Sequence, residues 1–405
     1  MTRSKQPSFN MLAVALGVAV LGLTSGAQAQ QADKIRIGFT TDMSSLYSDI
    51  DGKNGAIAIQ MAIDDFGGKV LGKPVELLSA DHQNKADIAA SKAREWFDTQ
   101  GVVAIIGGTN SGTALASAKV AEEKKKLYIQ IGAGSSALTN EACSPYTIHY
   151  AYDTVALAKG TGGALVKQGD KDWFFLTADY AFGHSLEADT SKVVKDAGGT
   201  VKGTVRHPLN ASDFSSFLLQ AQSSGAKVLG LANAGGDTVN AIKAASEFGI
   251  NKTMKLAGLL IFINDIHSLG LKDTQGLLFT DSWYWDQTDA SRAFAKKFFE
   301  KTKRMPSSLQ AADYSATMNY LKAVEAVKST DTDQVLAHLK KTGINDFYAK
   351  GTIRDDGRFV HDMYLLKVKT PAESKQPWDY FTVQATLPGD QVYTTKAESR
   401  CKLWK

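Results

Sequence analysis

The chain has 405 residues, with 46 Lys and Arg against 42 Asp and Glu and a formal net charge of +4. That length is too great for one small core and favours two domains, and the absence of any basic tract sets nucleic acid aside as a partner. The two cysteines form no CxxC and the seven histidines no HxxxH pair, so no metal site of ordinary spacing is expected.

The first residues read as an export signal. Arg3 and Lys5 precede an uncharged apolar run from Met11 to Leu23, and Ala27-Gln28-Ala29 is a small-x-small triplet. That is the order of a secretory signal peptide, residues 1–29. The run is short for a bilayer span, and no cysteine follows it to carry a lipid. Cleavage is expected after Ala29, and losing Arg3 and Lys5 takes the charge from +4 to about +2. In an exported chain an even cysteine count reads as one disulfide, Cys143 to Cys401, which ties the C-terminal tail to the first half.

The elements then alternate. Strand 35–39 precedes a helix whose apolar residues Ala56, Ile59, Ala62, Ile63 and Phe66 recur at helical spacing, ended by Gly67-Gly68. Strand 75–80, helix 86–97, strand 102–106, helix 113–124 and strand 127–131 complete a first set. A second set follows: helix 154–168, strand 173–176, helix 185–197, strand 200–206, helix 214–223, strand 228–232, helix 238–248, a strand near Leu256, and strand 277–280 to close it. This is an α/β pattern of two parallel sheets, each covered by helices. After Asp281 come helices 291–303, 310–327 and 331–341, then a turn at Asp355-Asp356-Gly357 and strand 364–369. The helical block is expected to return to the first lobe and the tail to the second.

Two strand-to-helix loops carry the chemistry. Gly107 to Thr113 places backbone N–H groups and a helix start at the end of a buried strand, which suits an anion. Its glycines resemble those of a P-loop, but Thr113 stands where the lysine should be. Gly132 to Ala137 matches GxGxxA, yet it follows the fourth strand and not the first, so no cofactor is expected. A nucleophile elbow would need serine at Asn110. No catalytic machinery rises above background. Aromatics at strand ends form a further group: Tyr47, Tyr180 with Phe182, and Trp283-Tyr284-Trp285.

The chain resembles the type I periplasmic substrate-binding proteins of the branched-chain amino acid (Leu/Ile/Val-binding) ABC transporter family. The matching residues are Ile37-Gly38 with Met43-Ser44, the helix Gly55 to Phe66 running into Gly67-Gly68-Lys69-Val70-Leu71-Gly72, Asp81, Ile106-Gly107 with Ser111, and Ala133 to Thr139. Asp179 with Phe182-Gly183, Asp213-Phe214 and Gly235-Gly236-Asp237 continue it over the mature chain. The resemblance implies two Rossmann-like lobes joined by three hinge crossovers, 30–151 with 282–353 and 152–281 with 354–405. It also implies a periplasmic monomer that closes on a small molecule and delivers it to permease subunits in the inner membrane. By position it implies contacts from Tyr47, Asn110, Ser111, Thr113, Ala133, Ser135 and Ser136 in the first lobe. Tyr152, Phe182, Asn233, Asp281 and Tyr284 complete the set.

One stretch departs from the family. Its amino-acid binders carry an acid after the strand near Leu256, to pair with the ligand ammonium. Here Gly258-Leu259-Leu260-Ile261-Phe262 is uncharged, and an unpaired ammonium in a closed cleft is costly. The expected ligand is therefore a small carboxylate, aromatic in body, with His82 a candidate to meet a ring hydroxyl. Trp283-Tyr284-Trp285 resembles the aromatic-acid-binding branch. An amino acid is the alternative, and a sensor subunit or an enzyme would be of another class.

Overall fold

The computed structural model describes residues 34–404. The expected signal peptide, 1–29, lies outside the described residues. Among the described residues no helix is long and apolar enough to cross a membrane.

The first sheet is built from β1 (Ile35–Thr41), β2 (Lys69–Val70), β3 (Lys73–Asp81), β4 (Val102–Gly107), β5 (Leu127–Gln130) and β6 (Thr147–His149). Its order is β2-β3-β1-β4-β5-β6, parallel apart from the short β2–β3 hairpin. Helices α1 (Gly52–Asp65), α2 (Ala86–Thr99) and α3 (Ser111–Lys124) connect the strands. Covering on both faces explains the near-continuous apolar reading of β4 and β5, which are almost wholly buried. In α1 the buried face is Ala58, Ile59, Met61, Ala62 and Ile63. Each large side chain buried there contributes about 1.5–3 kcal/mol. Gly67 and Gly68 follow with φ of 103° and 71°, a conformation open to glycine that ends the helix. The sequence reading stopped this sheet at the strand near residue 131; β6 adds one more parallel strand.

The second sheet contains β7 (Asp172–Ala178), β8 (Thr200–His207), β9 (Val228–Ala232) and β10 (Lys255–Gly258), in the order β10-β9-β7-β8, all parallel. Around it run α4 (Thr154–Leu157), α5 (Gly163–Lys167), α6 (Ala181–Asp196), α7 (Ser215–Ser223), α8 (Gly236–Glu247), α9 (Ile263–Leu269) and α10 (Leu271–Thr274). The expected single helix 154–168 is interrupted between α4 and α5 by a π-helical turn, Ala158–Gly162. There a Cβ on Gly160 would lie 2.2 Å from Thr280 Oγ1. The turn thus brings backbone against the neighbouring strand, an approach that periodicity does not encode.

That strand, β11 (Leu278–Asp281), does not close the parallel set as expected. It pairs antiparallel with β15 (Met363–Val368), which pairs antiparallel with β16 (Phe381–Leu387). The intervening segment holds α11 (Asp289–Thr302), α12 (Ser308–Val327), α13 (Thr332–Thr342) and a small antiparallel sheet. Its strands are β12 (Ile344–Asn345), β13 (Lys350–Ile353) and β14 (Phe359–His361). A capping box between Ser307 and Gln310 starts α12, which lies along α1. The short α14 (Gly389–Val392) leads into the tail.

The tail is tied down. Cys143 and Cys401 form a disulfide across a separation of 258 residues. Arg354 donates to Thr394 O and stacks on Trp404, while Lys159 donates to Tyr393 O. Replacing both cysteines by serine should cost about 2–4 kcal/mol, because the unfolded chain regains the freedom the crosslink removes. Thermal unfolding with and without reductant checks this; equal melting temperatures would contradict it.

Candidate functional site

Parallel sheets put every strand C-terminus at one edge, so loops from different strands converge there. Loops after β1, β4, β5, β6, β7, β9 and β10 meet around about 240 Å³ of non-atom space. The lining residues are Tyr47 and Ile50, Thr109 to Ser111, Gly132 to Gly134, Tyr152, Tyr180 with Phe182, Ala234 and Leu260. None is charged.

The polar end is built by two loops. Asn110 caps α3, its Oδ1 accepting from the amides of Gly112 and Thr113 at 2.9 and 3.2 Å. Its Nδ2 is buried without a partner. Its φ of 66° with ψ of 113° is sparsely populated for a residue with a side chain, a strain of about 1–3 kcal/mol that the surroundings must hold. Ser111 Oγ accepts from Ser135 N at 3.1 Å, which leaves its own proton free. The amides of Ala133 and Gly134 have no backbone acceptor. A Cβ on Gly134 would sit 2.9 Å from both Phe182 and Tyr152, so glycine lets the aromatic wall close on this backbone.

The aromatic wall joins both sheets. Tyr47 and Tyr180 hydroxyls meet at 2.5 Å, and Tyr152 donates to Gly132 O at 2.7 Å. Asp42 shapes the loop that carries Tyr47, accepting from the amides of Ser44, Ser45 and Tyr47. Ser135 and Ser185 hydroxyls meet at 2.7 Å, and Ser136 Oγ donates to Asp189. Burial pushes Asp189 up to about 6. Behind the first loops, Asp51 and Asp313 are fully buried against one another, and desolvation raises both carboxyls, so that they share a proton.

Of the residues expected at the site, Tyr47, Asn110, Ser111, Ala133, Tyr152 and Phe182 come together on the cavity. Ser135 stands directly behind Ser111. Thr113 faces inward, donating to the carbonyls of Thr109 and Asn110. Ser136 turns to Asp189, and Asn233 is held by His207 and Thr238 beside the lining Ala234. Asp281 is buried on the Ser282 amide. Tyr284 donates to Trp378 O, and Trp283 and Trp285 are likewise buried in ring contacts and hydrogen bonds, apart from the lining. A corner that looks loop-like in sequence is here a packed core.

His82 is not at the cavity either; it is 2 % exposed and lies behind the Thr109 loop. Phe182 belongs to the first turn of α6 rather than to a loop, because Gly183 allows the turn to close on Ala178 O. Thr109 and Gly132 lie inside the two recognised loops but were not expected as contacts; Ile50 carries no signal in the sequence beyond lying near Tyr47.

A family profile described as periplasmic binding protein matches residues 34–376. A periplasmic binding protein from Burkholderia mallei has 69% identity and a TM-score of 0.92, over 92% of this chain and 100% of that one. A Leu/Ile/Val-binding protein homolog 6 of Brucella melitensis is 27% identical over 58% of this chain, which spans only 59% of that relative's length. Two structures share the fold at lower identity. One is a solute-binding protein of an ABC transporter from R. palustris in complex with benzoate (19%, TM-score 0.81, 91% and 100% covered). The other is a leucine binding protein from Thermotoga maritima (23%, TM-score 0.76, 87% and 99% covered).

Asp281 supplies a test of the buried carboxyls. Burial raises it from 3.8 to about 7, so the folded chain holds that proton more tightly than the unfolded one. The stability this contributes is present at acid pH and is lost as pH rises through about 7. Asp281→Asn should therefore melt roughly 1–3 °C above the parent at pH 8, with the gain shrinking toward pH 5. Melting curves across that range decide it, and a gain independent of pH would contradict the reading.

Proposed function

The chain belongs to the periplasmic binding protein family, and from that premise we propose that it captures a small aromatic carboxylate for an ABC importer. In this reading the solute is held between two lobes, 30–151 with 282–353 and 152–281 with 354–405, that close by a hinge motion. The closed form is then presented to permease subunits in the inner membrane. The protein acts as a periplasmic monomer after cleavage behind Ala29, and it carries out no chemistry on the solute.

The observation that carries this reading is the lining itself. A partnerless Nδ2 on Asn110, free amides at Ala133 and Gly134 and the start of α3 face one end of the gap. Tyr47, Tyr152, Tyr180 and Phe182, with the apolar Ile50, Ala234 and Leu260, line most of the rest. Neutral donors at a helix N-terminus suit a carboxylate, and rings suit an apolar planar body. The benzoate complex of the R. palustris neighbour supports this ligand class. The names of the Brucella and Thermotoga relatives favour the competing reading, a branched-chain amino acid. Against it, no carboxylate lines the gap to receive an ammonium.

Thermal shift and calorimetric titration separate the two. 4-Hydroxybenzoate or benzoate should raise the melting temperature, as any ligand of the folded state alone does, whereas leucine, isoleucine and valine should not. The opposite pattern overturns the ligand class. Asn110→Ala should weaken the bound acid on the order of tenfold while the protein stays folded.

A further inference from the structure

The loops that bear the cavity's donors do not hold themselves. At the end of β3 and in the turn that follows lie Asp81, His82, Gln83 and Asn84, none of which lines the gap. Gln83 and Asn84 have φ of 52° and 56°. This turn grips both first-sheet loops at once. On one side Asp81 accepts from Met43 N at 3.1 Å and Ser44 Oγ at 2.5 Å, and Asn84 Nδ2 donates to Asp42 at 2.7 Å. That is the loop of Tyr47. On the other side His82 Nε2 stands 3.1 Å from Thr109 O and 3.3 Å from Thr113 Oγ1. That is the loop of Asn110.

We propose that His82 is a positioning residue for ligand binding, acting as a neutral Nε2–H donor that holds the Thr109–Thr113 loop and so aims the Asn110 amide into the cleft. The tautomer follows from the geometry. Asn84 N–H donates to His82 Nδ1 at 3.1 Å, so Nδ1 carries no proton and the ring's one N–H is at Nε2. Thr109 O also accepts from Thr113 Oγ1 at 2.8 Å, and Thr113 N is capped by Asn110 Oδ1. His82 therefore anchors the two residues that bracket Asn110 and pin its strained backbone. Removing the Nε2 donor lets Asn110 relax toward an ordinary conformation, with its Nδ2 off target.

Acid acts on the other side of the ring: a proton added at Nδ1 leaves the Nε2 donor in place but confronts the Asn84 N–H and loosens the turn. Burial lowers the affinity of His82 for a second proton, only partly offset by Asp42, by the bond to Thr109 and by Asp81. Those two carboxylates are the charged groups acting on the ring; Thr109 and Thr113 face it from the loop after β4 and from α3 and do not titrate. Ligand affinity is thus flat through neutral pH and falls below the usual histidine range. The inference rests on the cleft being the ligand site, but not on which solute fills it.

The test measures the dissociation constant of 4-hydroxybenzoate, or of leucine if only leucine binds the parent, from pH 5 to 8, with melting temperatures alongside. His82→Leu should weaken binding on the order of tenfold at pH 7.5. His82→Gln, which keeps an amide donor at reach, should stay within about threefold and lose the acid-side fall that the parent shows. Ring nitrogen shifts of the ligand-free parent should report the Nε2–H form of His82, whatever binds. A parent that binds neither probe overturns the proposed function. A parent that binds, joined by a His82→Leu variant of equal affinity and the same pH profile, overturns this inference. An Nδ1–H form, or a His82→Gln variant as weak as His82→Leu, overturns it too.

Discussion

The arrangement turns on hydrogen-bond donors left without acceptors. A buried N–H with no partner costs about 1–3 kcal/mol, and folded chains rarely tolerate one. Here Asn110 Nδ2 and the amides of Ala133 and Gly134 are gathered at one end of a gap whose other walls are aromatic. Under the proposed function an arriving acceptor removes that cost, and with no cation in the lining its recognition rests on donor geometry and the field at the start of α3.

Geometry of that kind needs a rigid frame, and the fold supplies it in layers. Buried parallel strands fix where each loop begins. Asp42 then folds the β1 loop over its own carboxylate, and Asn110 folds the β4 loop over its own amide. The turn after β3 joins the two. Across the gap, hydroxyl contacts between Tyr47 and Tyr180 and between Ser135 and Ser185 bring the two halves together with neutral groups. Each such contact contributes about 0.5–1.5 kcal/mol.

Much of this was legible in the sequence, and the limits have physical causes. Alternating helix and strand periodicity located both parallel sheets, and glycine-rich strand ends located the donor loops. Local pattern could not tell that β11 runs antiparallel to strands more than eighty residues later, since pairing partners are a long-range choice. Nor could it separate Trp283-Tyr284-Trp285, which pack on Phe294 and Phe381 and donate to Trp378 O, from aromatics that wall a cavity. An aromatic at a strand end reads the same whether a ligand or a neighbouring helix covers it. In the sequence His82 is one candidate to meet a ring hydroxyl, but its Nε2 faces Thr109 O behind the loop.

Magnitudes support the proposed solute class. Stacking a planar ring on Tyr or Phe adds about 0.5–1.5 kcal/mol beyond area burial, a modest preference that leucine could offset with its own apolar surface. An ammonium enclosed without a counter-ion loses several kcal/mol. Two carboxyls that act on the lining tyrosines are already occupied. Asp237 accepts from the amides of Asn210 and Ala211, and Asp281 from that of Ser282. Burial moves them up to about 6 and about 7, which weakens both as anions near neutral pH. The larger effect under the proposed function is therefore exclusion: a lining without a carboxylate disfavours an amine, and the rings would then choose among acids.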